Sequence, residues 1–335
     1  MGVPYFSNYK DFEDNNLKRL AFSSEKKSNV EICDLSLKSC YQNIFNVRDY
    51  SKLLEGRYSD DTDNSYIFVG EKKEYIDGIY DNEIDVRVKK FALHDGAQLV
   101  IYGSSDAKID PIDRSVLINQ ASLDDRFLIH GGELKDWEIR FIGITDGEIT
   151  TEQNFNEDLL TGCLTFLDLR VENLTVNIDG ALCEDGVNFM RVIGEINSVQ
   201  VINSLRDAID VDFSELNFNY INIKNAGNDC VDLSAGNYNI EQADLSDCLD
   251  KAVSVGEKSK LSMNSANISD SNMGFASKDS SIIEINDVIT SSTAICFSAY
   301  NKKQEFWGGK ITIKKHNCDH SQVLQEKGSL IEFVL

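Results

Sequence analysis

The chain has 335 residues, of which 41% are apolar, and 56 Asp and Glu outnumber 33 Lys and Arg to give a net charge of −23. So acidic a surface repels nucleic-acid phosphates and anionic bilayers, which sets aside nucleic acid and the membrane as expected partners. There is no apolar run near the roughly 18 residues that a membrane span needs, and residues 1–10 lack the basic and apolar regions of a secretory leader. A soluble protein is expected, cytoplasmic if Met1 is the native start and secreted or surface-associated if a leader has been removed.

Residues 1–60 show no period, and DLSLKS and YQNIFN read as strands or short helical turns. This segment is expected to cap whatever follows, because exposed strand edges need covering. The acidic stretch Ser59–Asn64 reads as an exposed loop. Asn82–Gly103, Phe127–Ile144 and Cys163–Ile178 each carry alternating apolar residues that fit one coil of a repeat.

The repeat becomes regular after residue 185. Val187, Ile209, Val231, Val253 and Phe275 follow one another at intervals of 22. The residue before each is small: Gly186, Ala208, Cys230, Ala252, Gly274. Each repeat holds two further alternating stretches, such as Leu216/Phe218 and Ile221/Ile223, so three short strands fill each period. Asn, Ser, Gly and Asp stand between them, residues that tolerate tight or left-handed turns. Asn203 and Asn225, 22 apart, suggest a stacked corner. Strands that pair with their counterparts one repeat later build a solenoid, and the crossover rule makes it right-handed. The predicted fold is an all-β, single-stranded, right-handed parallel β-helix of about 22 residues per coil. Its expected limits are residues 61–320, between an N-terminal cap (1–60) and a C-terminal cap (321–335). Ala294–Lys315 reads as a late coil with an inserted loop.

The eight cysteines are scattered without a CxxC pair. They are expected to be mostly reduced and buried as small apolar residues.

Strand alternation turns one set of side chains outward. Asp207, Asp210, Asp212, Asp229 and Asp232 should gather on one face, with Lys251 and Lys278 one or two coils later. Stacked carboxylates repel, which raises pKa values or calls for a cation. Acidic groups gathered like this are candidate general acids and bases, and Asp207, Asp229, Lys251 and Lys278 lie among them. Asp210 and Asp232 are candidate substrate contacts, and Asp210, Asp212 and Asp232 are the ligands offered to Ca2+, the one candidate cofactor. Tyr300 and Trp307, in YNKKQEFWGG, are candidate sugar-stacking aromatics. His316, Cys318 and His320 alternate and suggest zinc, though a fourth ligand is missing; His94 and His130 read as structural.

The order RDAID, GNDCVD, DKAVSVGE resembles the strand motifs of pectin-degrading β-helix hydrolases of the polygalacturonase type. By that resemblance Asp207 matches the first catalytic aspartate, Asp229 the second of a pair, and Lys278 a terminal lysine. Asn228, Lys251 and Ala276 stand where that family has aspartate, histidine and arginine. A lysine beside carboxylates instead suits a lyase or epimerase base. Over about residues 160–315, LTGCLTF, DAIDVDFSEL, GNDCVDLSAGNY and GFASKDSS are similar to a bacterial β-helix domain that occurs attached to spore-coat-type kinase domains. That resemblance implies the fold rather than a reaction. The expected function is binding, with cleavage or epimerisation, of a polar or acidic polysaccharide. The alternative is a non-catalytic scaffold module that serves a partner protein or a surface assembly, since fold alone does not imply catalysis.

Overall fold

The computed structural model describes residues 67–71, 87–93, 95–145, 160–319 and 322–334. The expected N-terminal cap and the acidic loop Ser59–Asn64 lie outside them. The described residues contain no α-helix and are dominated by a parallel β-solenoid of about nine turns.

The interval of 22 is a spatial interval. Val187 pairs with Ile209, Ile209 with Val231, Val231 with Val253, and Val253 with Phe275. All five side chains are fully buried. The column extends to Leu164 on one side and Phe297 on the other. Beside it Phe166 stacks on Phe189 at 4.8 Å, and within it Phe275 stacks on Phe297 at 5.9 Å. The second and third strands of each repeat run on as one long strand, for example Glu215–Ala226 over Asn237–Cys248. Leu216, Phe218, Ile221 and Ile223 turn inward from it, as their alternation requires.

Two corners repeat as well as the strands. Asp168, Arg191, Phe213, Ala235, Glu257 and Asp279 take positive φ, between 50° and 55°, at one corner. Asn203 and Asn225, both at φ 63°, occupy the other, and the Asn225 side-chain amide donates to the Asn203 oxygen at 2.9 Å. The predicted Asn corner is therefore a hydrogen-bonded ladder in the left-handed region that Asn tolerates.

Two sequence expectations are corrected. Asn82–Gly103 is not a coil: Arg87–Ala92 and Gln98–Tyr102 pair antiparallel, and the second of these pairs antiparallel with Arg126–His130. The reason is Asp95-Gly96, both at positive φ, a dipeptide that favours a tight hairpin. Alternation alone does not separate a hairpin arm from a coil. Phe127–Ile144 does enter the solenoid, through parallel pairing of Arg126–His130 and Glu138–Ile142 with Gly162–Ala181.

Nor are the described cysteines reduced. Cys163–Cys183, Cys230–Cys248 and Cys296–Cys318 are disulfides, and no described cysteine is free. Their separations of 20, 18 and 22 residues are close to one repeat. In each, the first cysteine is the small residue just before the inward anchor, and the second ends the same coil. Every third coil is thus closed on itself. Cys33 and Cys40 lie outside the described residues.

Candidate functional site

The outward side of the anchor strands carries three stacked columns. In the middle lie Thr165, Asn188, Asp210, Asp232, Ser254, Ala276 and Ser298, each paired with the next. One side holds Asp185, Asp207, Asp229 and Lys251; the other holds Met190, Asp212, Ser234, Gly256, Lys278 and Tyr300. Neighbouring coils are about 4.7–4.9 Å apart, so the five aspartates singled out in the sequence and the two lysines form one cluster.

The Asp185 column is wired from Asp207 to Lys251. Asp207 Oδ1 accepts the Asp229 backbone N–H at 2.8 Å and the Asn228 side-chain amide at 2.7 Å. Asp229 Oδ1 in turn accepts the Lys251 backbone N–H at 3.1 Å. The Lys251 ammonium lies 3.1 and 3.4 Å from the two Asp229 oxygens and also bonds Asp250. Asp229 is only 2% exposed, so this ion pair is what makes its burial tolerable.

In the middle column the Asn188 amide donates to Asp210 Oδ2 at 2.7 Å. Lys278, 4% exposed, lies 3.5 Å from Asp232 Oδ1 without forming a hydrogen bond. Ser254 Oγ, fully buried beside Asp232, has no partner, nor has Asp185 Oδ2. Such atoms are where a hydroxyl-bearing ligand or water gains most.

Burial and mutual repulsion dominate the protonation states. Burial, reinforced by Asp229, pushes the Asp207 carboxyl up to about 7, against the hydrogen bonds it accepts. Asp185 and Asp210 rise well above the usual carboxylate range, through burial first and neighbouring aspartates second. Burial also raises Asp229, with Lys251 pulling the other way. For Lys251 burial opposes the charge, but Asp229 and Asp250 outweigh it and its pKa rises. The face therefore combines carboxyls whose hold on protons is raised with two lysines, one bonded to Asp229 and one 3.5 Å from Asp232.

Tyr300 continues the Lys278 column, paired with it strand to strand. Trp307 belongs to the loop after it; its backbone N–H donates to Ser280 Oγ at 2.8 Å and its carbonyl accepts from the Ser280 N–H at 2.7 Å. The indole is 82% exposed. Lys303 pairs with Glu257, and Lys258 lies 5.6 Å over the Phe306 ring, which ties this loop to the corner of the preceding coils.

Among the described residues no three His, Cys, Asp or Glu side chains converge to hold a metal ion. Of the residues offered to calcium, Asp210 and Asp212 accept from the Asn188 amide, and Asp232 lies beside Lys278. The zinc reading of His316, Cys318 and His320 is overturned at its centre, because the Cys318 sulfur is bonded to Cys296. His316 packs against Phe333 at 4.5 Å, and His94 and His320 lie outside the described residues. His130 is half-buried, and its partial burial, followed by Lys90, lowers its pKa to about 4.

Asp185, Asn188, Asp250 and Ser254 belong to the cluster without having been singled out. For Asp185, Asn188 and Ser254 the signal was the same 22-residue interval, extended one coil in each direction; Asp250 joins as the chain neighbour of Lys251, to which it bonds. Two open depressions of about 200 and 400 Å³ lie on the other faces, the larger lined by Asn217, Asn239 and Asn264. Neither includes the carboxylates. No family model, no curated protein and no solved structure matches the chain; its parallel β-helix is shown by its own strand pairing.

Proposed function

We propose that the carboxylate face binds a polar polysaccharide along the solenoid and hydrolyses it by acid–base catalysis. One observation carries this reading: Asp207, held near pKa 7 by burial and by Asp229, shares a face with Asp232, which is paired to Lys278. Glycosidic hydrolysis uses two carboxyl groups, one as acid and one as base. Asp207 donates its proton to the leaving glycosidic oxygen, and Asp232 accepts a proton from the water that adds to the anomeric carbon. Asp229 is the fixed charge that keeps the proton on Asp207, and Lys251 keeps Asp229 ionised. The three coil-closing disulfides support action in an oxidising compartment.

The test is release of reducing ends from soluble polysaccharides, a polyuronate and a neutral β-glucan among them. Asp207→Asn and Asp232→Asn should each lower the rate by about 100-fold or more while the fold persists. Full activity in both variants would remove the mechanism. A wild-type protein that binds and cleaves no polysaccharide would leave the scaffold alternative.

A further inference from the structure

The corner beside the carboxylate face carries a side chain that its backbone disfavours. Phe213 follows Asp212 at φ 51°, in the left-handed region where a bulky residue is an outlier. Its ring is 55% exposed. The position has no structural need for an aromatic: the same corner holds Arg191 one coil earlier and Ala235 one coil later, at nearly the same φ. Ala235 is too small to cover the ring. Strain at an exposed position that brings little burial in return points to use in binding.

Following the corner forward leads to a second exposed aromatic, Trp307. The Phe213 N–H donates to the Ser234 carbonyl, the Lys258 N–H to Asp279, and the Ser280 N–H to Trp307. Phe213 and Trp307 thus lie on one ridge, four coils apart, or roughly 19 Å at strand spacing. The two bonds between Trp307 and Ser280 fix its backbone, so the indole is presented from a stiff support. Between the two rings the ridge borders Asp212, Ser234, Gly256 and Lys278.

We propose that Phe213 and Trp307 are the two ends of a sugar-stacking ridge that holds an oligosaccharide several rings long beside the carboxylate face. Aromatic faces suit the apolar faces of pyranose rings, and the separation demands a chain rather than a mono- or disaccharide. The inference rests on the polysaccharide reading above.

It is tested by calorimetric titration of wild type, Phe213→Asn and Trp307→Ala with sodium polygalacturonate and with a neutral mixed-linkage β-glucan. Each single variant should bind the polymer that wild type prefers roughly five- to tenfold more weakly. Phe213→Asn should at the same time raise Tm by a few degrees, because Asn accepts the left-handed region. Undiminished affinity in Phe213→Asn, with wild type binding, overturns the ridge and leaves the polysaccharide reading standing. Weaker binding with a lower Tm also overturns it, since Phe213 would then be a packing residue. Wild-type protein that binds neither polymer overturns both.

Discussion

A Cβ on Gly256 would lie 2.8 Å from Cε of Lys278, so the lysine stem crosses the preceding coil through space that only glycine leaves open. That path brings the ammonium to Asp232. Gly256→Ala should therefore displace the flexible end of Lys278 rather than the backbone. We expect Tm to stay level or to rise slightly, since alanine loses less entropy than glycine in a strand. Polymer turnover should fall. A drop of several degrees in Tm with turnover intact would contradict this reading.

The Cys230–Cys248 disulfide closes the coil that carries Asp229. Its removal should cost about 3 kcal/mol, the loop-closure value for a loop of this order. The preceding coil has Ala208 and Ala226 at the corresponding positions, and Ala226 pairs directly with Cys248. Cys230→Ala/Cys248→Ala is thus a substitution that the repeat already accommodates. Guanidinium unfolding of the double variant should show this loss under oxidising conditions and no further loss at this site on reduction. An unchanged midpoint would show that the bond contributes nothing.

Asp207 makes stability depend on pH in the less familiar direction. Its folded pKa of about 7 lies above the ordinary 3.8. Between those values the folded state holds more protons than the unfolded state, so this contribution is complete at low pH and is lost as pH rises toward 7. Asp185 and Asp210 act in the same sense. His130, lowered to about 4, acts oppositely: its contribution is present above about 6.5 and is lost as pH falls. The comparison with Asp207→Asn isolates the aspartate. The variant should gain stability relative to wild type as pH rises from 5 to 8. A difference independent of pH would contradict the raised pKa.

Lys251→Met leaves Asp229 buried without its closest cation. At neutral pH this should cost about 3–5 kcal/mol. The cost should shrink at pH 4–5 as Asp229 takes up a proton. Chemical unfolding at the two pH values checks the claim, and an equal cost at both would show that the pair is held by packing rather than by charge.

The solenoid was legible because a strict interval of 22 is itself the stacking rule: Ile209 and Val231 are neighbours for the reason that they match in sequence. The carboxylate cluster was legible on the same ground. What escaped were features that the interval does not encode. The Asp95-Gly96 hairpin needed turn chemistry to be weighed above alternation. The disulfides looked scattered because spacing was read along the chain, although separations of 18–22 residues return the chain to the same corner. Phe213 was hidden because its signal is a backbone angle, and Lys278 reaches Asp232 only because position 256 lacks a side chain.

The protonation state of Asp207 is what the proposed chemistry requires, and carbon-detected NMR titration of its carboxyl group reads it directly, with Asp207→Asn to assign the signal. The account predicts a midpoint near 7. A midpoint below about 5 would mean that Asp207 carries no proton at neutral pH and would contradict its role as the acid.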